Sequence, residues 1–167
     1  MKKLLKAAIF FLIIIHYTNL YSQNVMINVA TQNSGIVKKG EIVFFEVTIN
    51  NTSPTRTVPA FKLRPQISFP TTVVDVPITG HTLPMGWEIV SNKKGVVLLT
   101  NGTDLIAENQ SRTILIAVRG KAKGGPSTII GNLNFSNGIA PGAVLGSALI
   151  GDNNADNTST STVSVIK

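Results

Sequence analysis

A ten-residue stretch at positions 41–50, EIVFFEVTIN, constrains the fold more than any other part of the chain. Apolar side chains stand at every second position from 43 to 49, and Glu46, Thr48 and Asn50 fall on the opposite face. A two-residue repeat with β-branched and aromatic side chains is typical of a half-buried strand. Residues 112–119 repeat the pattern. The chain is therefore predicted to form sheets with one face turned to a core.

Turn residues separate further short segments of the same kind. Asn92-Lys-Lys-Gly95 is predicted to close a hairpin between 88–91 and 96–100, because Gly95 accepts positive φ. No segment has a sustained helical period with caps. The pattern predicts an all-β, immunoglobulin-like antiparallel sandwich of about 7–9 strands in a single domain over residues 23–167. The other predicted strands are 25–30, 66–78 (interrupted at Pro70), 87–91, 96–100, 127–135, 143–150 and 159–166.

Residues 1–22 have the pattern of a secretory signal peptide. Basic Lys2, Lys3 and Lys6 precede the apolar run 7–15, and Ser22 is a small residue suited to the position before a cut. The apolar run is short for a bilayer span, which needs about 20 residues. We therefore expect an exported protein, whether secreted, cell-surface or periplasmic, with no membrane span after cleavage. The chain has no cysteine, so neither a disulfide nor a lipoprotein cysteine is available.

Three segments resemble bacterial extracellular immunoglobulin-like repeat domains, modules of surface proteins related to bacterial cell-adhesion domains. The first is KGEIVFFEVTINNT at 39–52, the second is LPMGW at 83–87, and the third is GDNNADNTSTSTVSV at 151–165. They lie in the order that the family shows and together span most of residues 23–167. The chain holds one copy, whereas such domains usually occur in tandem. The resemblance implies the same fold and an extracellular compartment, and adhesion by analogy alone.

Asp152, Asn154 and Asp156 alternate as in the start of a calcium loop, and they are the only metal candidate. An EF-hand is excluded, because its sixth position is Asn157 instead of Gly and its twelfth is Val163 instead of Glu. A looser calcium site stays open. Asp and Asn side chains also bond nearby backbone amides in tight turns. We interpret the cluster as an Asx-rich turn into the last strand, and expect no cofactor.

Catalytic motifs are missing from the sequence, and we expect no enzyme activity. His81 is the one histidine after residue 22, and nothing near it resembles a nucleophile elbow. A surface histidine is the expectation. The eight acidic residues form no recognisable pair for glycoside hydrolysis. Trp87, the only tryptophan, is interpreted as a core plug or strand-start anchor; a sugar-stacking platform is the alternative.

From residue 23 onward the chain has 12 basic and 8 acidic residues, a net charge of +4. The basic residues are scattered along the sequence in pairs, as at turns and strand ends, so we expect no nucleic-acid partner. The interpretation is a non-catalytic, exported interaction module that binds a protein or glycan at the cell surface. One alternative is a subunit of a filament or layer assembled by strand exchange, with 25–30 and 159–166 as free edges. A carbohydrate-binding sandwich is the second alternative.

Overall fold

In the computed structural model, which describes residues 23–137 and 145–167, two β-sheets pack face to face. The signal-peptide prediction for 1–22 and part of the strand predicted at 143–150 lie outside the described residues. Ten strands are present in this part of the chain, one more than the upper end of the predicted range. They are β1 (Val25–Thr31), β2 (Ile36–Lys38), β3 (Ile42–Asn51), β4 (Leu63–Ser68), β5 (Val74–Asp75), β6 (Glu88–Lys93), β7 (Val96–Thr100), β8 (Ser111–Gly120), β9 (Gly124–Phe135) and β10 (Thr158–Ile166).

One sheet has the order β1-β3-β8-β5 and the other β2-β10-β9-β4-β7-β6. All pairings between these strands are antiparallel except that of β2 with β10, which is parallel. The immunoglobulin-like sandwich predicted from the sequence is confirmed. The predicted face of β3 is confirmed too: Phe45, Val47 and Ile49 are at most 1% exposed. They pack with apolar residues of both sheets in one core.

The hairpin predicted at Asn92–Gly95 is also confirmed. β6 and β7 pair antiparallel up to Lys93 opposite Val96. Lys94 and Gly95 between them have φ of 51° and 76°. Positive φ at both central residues is the geometry of the turn that matches the twist of paired strands.

Three sequence predictions were wrong in detail. The stretch 66–78 is not one strand but β4 and β5, because the chain turns after Pro70, whose carbonyl accepts the amides of Val73 and Val74. Residues 145–150 form no strand; Leu145 makes a single bridge to Ser136. The short strand β2 was not predicted, because three residues are too few for a period to be visible.

β2 exists because the N-terminal segment changes sheets. After β1, the 3-10 turn Gln32–Gly35 carries the chain from the edge of the four-stranded sheet to the edge of the six-stranded one. Gly35 has φ of 75°, and a Cβ there would lie 2.4 Å from the carbonyl oxygen of Thr162. Only glycine fits this crossing. The prediction that the last strand, β10, is a free edge was therefore wrong for Ser164–Ile166, because β2 pairs with β10 there.

Candidate functional site

The outer surface of the six-stranded sheet is the widest regular surface of the molecule. Cross-strand register aligns ten of its outward-facing side chains in two neighbouring rows. One row runs Thr160, Ile130, Ser68, Val96 and Lys93; the other runs Thr158, Asn132, Gln66, Leu98 and Ser91. We call the nine residues of the two rows other than Lys93 the uncharged face.

The uncharged face crosses five strands, a width of about 20 Å at the usual strand spacing. Thr158, Thr160 and Ile130 are exposed, and the remaining six residues are half-buried. Lys93 borders the face at the β6–β7 hairpin. Covering a mixture of uncharged hydroxyl, amide and aliphatic side chains with a partner costs little desolvation free energy, because no ion has to lose its water.

The outer surface of the four-stranded sheet differs at its centre. There Glu46 lies between Ala30 of β1 and Leu115 of β8. A segment beside β8 also covers part of this surface, so that Ala117 is only 1% exposed. A carboxylate in the middle of a surface has to be desolvated or paired when a partner covers it. Of the two sheets, the six-stranded one therefore offers the better docking surface.

The Asp/Asn cluster at 151–157 holds the first strand in place. Asp152 accepts the amide of Val25 on one carboxylate oxygen (3.0 Å) and the side chain of Asn157 on the other (2.6 Å). Asp156 accepts the side-chain amide of Asn24 at 2.9 Å, and Asn153 caps the 3-10 turn Asn154–Asp156. The interpretation as an Asx-rich turn agrees with these bonds.

As a calcium site the same cluster is poor in available oxygens. Both oxygens of Asp152 already accept hydrogen bonds, and Asn154 is exposed. Asp156 Oδ1 and Asn157 Oδ1 are buried acceptors without a hydrogen-bond donor. These two are the oxygens a cation would use, whereas calcium takes 6–8. In the described part of the chain, no three His, Asp or Glu side chains gather into a metal-ligand group.

Trp87 lies inside the molecule, as the core-plug interpretation predicted. It is 5% exposed, and its indole N–H donates to Asp104 at 2.7 Å. Arg112 holds the same carboxylate through two nitrogens, Nε at 2.7 Å and Nη2 at 3.0 Å. A buried indole cannot stack on a sugar, so the carbohydrate-binding alternative loses the aromatic platform on which it depended.

His81 is half-buried and has a structural role. Its Nδ1 accepts the backbone amide of Ala117 at 3.1 Å, and its Nε2 lies 2.9 Å from the carbonyl of Pro77. An Nδ1 that accepts from an amide carries no proton, so Nε2–H is the donor to Pro77. The ring thus links the segment before β6 to the backbone edge of β8 at Ala117. The carboxylate of Asp104 is held by Trp87 and Arg112.

Two buried asparagines that the sequence treated as ordinary turn residues fasten the loops. Asn51 donates its side-chain amide to the carbonyls of Arg56, Ile106 and Ala107 at 2.7–3.1 Å. Asn101 accepts from Leu63 N–H and donates to Pro59 and Asp104 carbonyls at 2.8–2.9 Å. An Asn-Gly pair such as the one at 101–102 is typical of a turn and does not reveal that the asparagine is buried.

The acid Glu108 is half-buried on the loop before β8. The pKa of its carboxyl is lowered from the ordinary 4.5, first by a hydrogen bond from the backbone and then by one from Thr57 Oγ1 at 2.8 Å.

No helix in the described residues has the length and apolar character to cross a bilayer.

Neither the protein-family models nor the curated proteins contain a match to this chain. Solved structures resemble it in backbone shape. A CARDB domain of Pyrococcus furiosus, in complex with di-metal ions, is 10% identical with a TM-score of 0.48, covering 87% of this chain and 90% of that one. A cohesin module from a Clostridium perfringens family 33 glycoside hydrolase is 12% identical with a TM-score of 0.48, covering 85% and 98%.

An uncharacterised Nocardia farcinica protein with an immunoglobulin-like fold is 18% identical with a TM-score of 0.38, covering 82% of this chain and 98% of that one. At such low identities the likeness concerns the fold alone. The two sheets, their order and the single core identify the chain as an all-β protein with an immunoglobulin-like sandwich fold.

Proposed function

We propose that this protein is an exported, non-catalytic interaction module that binds a protein partner at the cell surface through the uncharged face. The observation that carries the proposal is the lack of charge in two neighbouring rows that cross five strands of the wider sheet. Charged residues border these rows: Lys93 at the hairpin, and Arg64 and Glu88 in the next row of the same face. The centres of protein–protein interfaces are depleted in charged residues, which concentrate at the rim. Lys93 stands at such a rim position.

Export rests on the pattern of residues 1–22, and a surface location is supported by the resemblance to bacterial extracellular immunoglobulin-like domains. An adhesive role is the specific form of the proposal that this resemblance favours. The fold by itself does not select a partner.

Strand exchange has no comparable support in the described part of the chain. β1 pairs with β3 over its whole length, and Val25, Ile27 and Val29 are at most 4% exposed. β10 pairs with β9 along most of its length and with β2 over Ser164–Ile166. A donated strand would be expected to pack poorly on its own domain, and neither terminal strand does.

The test is site-specific photo-crosslinking in the cells that produce the protein. A photo-reactive amino acid is placed at Asn132 or Thr160 on the uncharged face, and at Thr48 or Thr113 on the other sheet as matched controls. We expect one adduct of defined mass from both test positions and none from the controls. Equal adducts from the two sheets, or no adduct from the uncharged face, would contradict the proposal.

A second variant pair separates docking from folding. Thr160→Glu places a charge on the uncharged face, and Thr113→Glu places the same charge on the other sheet. Both positions are exposed, so neither change should lower the melting temperature appreciably. Only Thr160→Glu should abolish the adduct formed at Asn132.

A further inference from the structure

Antiparallel topology brings most of the basic side chains to one end of the sandwich. That end holds the close of β2, β4, β6, β8 and β10 and the start of β3, β7 and β9. Direct contacts tie the two sheets together there: Lys39 bridges to Gly120, and the amide of Gly40 donates to the carbonyl of Gly120. We call it the basic end. Its charged residues are Lys38, Lys39, Lys93, Lys94, Arg119, Lys121, Lys123 and Lys167, with Glu41 and Asp75.

The charge of the basic end is much greater than that of the rest of the domain. Its eight cations are all exposed and face two carboxylates, a net charge of +6. The opposite end has four basic and five acidic residues, so it is close to neutral, and Glu46 lies between the two ends. In the sequence these residues are scattered in pairs at turns and strand ends. Folding turns them into one field that attracts anions.

A cleft opens in the basic end between the β2–β3 turn and the β5–β8 edge. Its volume is about 500 Å³, and it is lined by Lys39, Gly40, Asp75, Arg119, Gly120 and Lys121. Three cations and one carboxylate thus surround a space large enough for a sugar ring. Lys121 Nζ donates to the carbonyl of Thr71 at 3.0 Å, which fixes its position beside the β6–β7 hairpin.

The surroundings of the cleft favour one class of polyanion. The loop tips at this end carry Thr71, Thr72, lysines and glycines, and its exposed large apolar side chains, Ile42 and Ile166, lie on strands. Among the described residues none has an exposed aromatic ring. Single-stranded nucleic acids are held by aromatic stacking as well as charge, and membrane-inserting loops present large apolar side chains. A flat bilayer also cannot enter a cleft, whereas a polymer of charged sugars can.

We infer that the basic end is a second binding site, for an acidic polysaccharide whose carboxylate or sulfate groups pair with Lys39, Arg119 and Lys121. The site lies on the end of the sandwich, away from the centre of the uncharged face. A protein partner and an acidic glycan can therefore be bound together, so that the domain connects a surface polymer to a protein.

The test measures the affinity of the full chain, expressed with its own N-terminal segment and purified in the form the cell delivers, for polygalacturonate by titration calorimetry. Dextran is the neutral control. We expect binding to polygalacturonate alone, weakening steeply between about 50 and 200 mM salt, since exposed ion pairs are screened. Duplex DNA and anionic phosphatidylglycerol vesicles are titrated alongside.

Two triple variants with the same loss of charge separate the cleft from the general field. Lys39→Gln/Arg119→Gln/Lys121→Gln removes the cleft cations and should weaken binding at least about tenfold, the combined effect of three exposed ion pairs. Lys93→Gln/Lys94→Gln/Lys167→Gln changes cations of the same end outside the cleft and should weaken it about threefold or less. Unchanged melting temperatures confirm that both variants fold.

Equal losses in the two variants would overturn the cleft as the site. Binding to DNA or vesicles with none to polygalacturonate would overturn the assignment of the ligand. The proposed protein partner is tested by crosslinks from a different surface, so either proposal can fail while the other stands.

Discussion

At the scale of single residues, buried asparagine side chains form hydrogen bonds between loops that their sequence context does not reveal. Asn101 is fully buried and joins three segments: the stretch before β4, the end of β7 and the loop that carries Asp104. A turn asparagine on the surface would form such bonds with water instead. The stability of the loops that hold Pro59 and Asp104 therefore depends on a few polar side chains.

Replacing Asn101 with alanine should lower the free energy of unfolding by about 3 kcal/mol. The change removes the bond partner of the buried amide of Leu63 and of two part-buried carbonyls, and each unpaired buried group is costly. Urea denaturation measures the loss. Asn50→Ala, on the half-buried outer side of β3, is the matched control and should stay within about 0.5 kcal/mol of the parent. Equal effects would show that the bonds of Asn101 contribute nothing special.

The Asp/Asn turn should not respond to calcium. Two buried oxygens lack donors, Asp156 Oδ1 and Asn157 Oδ1, and a strong site needs several more. We expect the melting temperature of the protein to be the same with millimolar calcium and with chelator. A rise of several degrees with calcium would show that Asp152, Asn154 and Asp156 rearrange into a metal site.

At the scale of elements, the edge of the four-stranded sheet is guarded by side chains. The amides of Val25 and Val29 on the open side of β1 donate to Asp152 Oδ1 and Ser159 Oγ, each at 3.0 Å. An exposed strand edge invites pairing with another chain, and natural sheets block it. The prediction of β1 as an edge is thus correct in position, but its edge is not free along its length.

Removing both guards should expose that edge. We expect Asp152→Ala/Ser159→Ala to lower the free energy of unfolding by about 2 kcal/mol, since the part-buried bonds from Val25, Val29 and Asn157 are lost. We also expect this variant to form dimers or larger species at high concentration. Light scattering after gel filtration measures the association. Thr160→Ala/Thr162→Ala alters the exposed side of the same strand β10 and should remain as the parent. A guard variant that stays the same size as the control would show that other features protect β1.

At the scale of the whole molecule, the sandwich presents two surfaces of different character. The uncharged face lies on the wider sheet, and the basic end gathers a net charge of +6. One surface suits a protein that excludes water, and the other suits a hydrated polyanion. The two surfaces are separated because the uncharged face is formed by side chains in the middle of strands, whereas the basic residues lie at strand ends and in turns.

The native size of the protein, recovered from its own cells without denaturant, decides between a module and a filament subunit. Both terminal strands pack within their own domain, so we expect a compact monomer of one domain's mass. A ladder of species that resists mild detergent would contradict this expectation and indicate strand exchange after all.

The amino-acid sequence by itself determined most of the strands, the core-facing sides of β3 and β8 and the hairpin at Lys94-Gly95. These depend on alternation and on φ, which are local properties of a few neighbouring residues. It could not reveal β2, whose three residues are too few to show a period, nor the end of the strand pattern after residue 145.

Only the tertiary structure decided which distant residues share a site. Asp152 guards a strand that begins 127 residues earlier in the chain, and Trp87 shares Asp104 with Arg112. Lysines that look isolated in the sequence form one basic end, because antiparallel strands return the chain to the same end at every second turn. Long-range pairing brings these groups together, and no local pattern in the sequence encodes it.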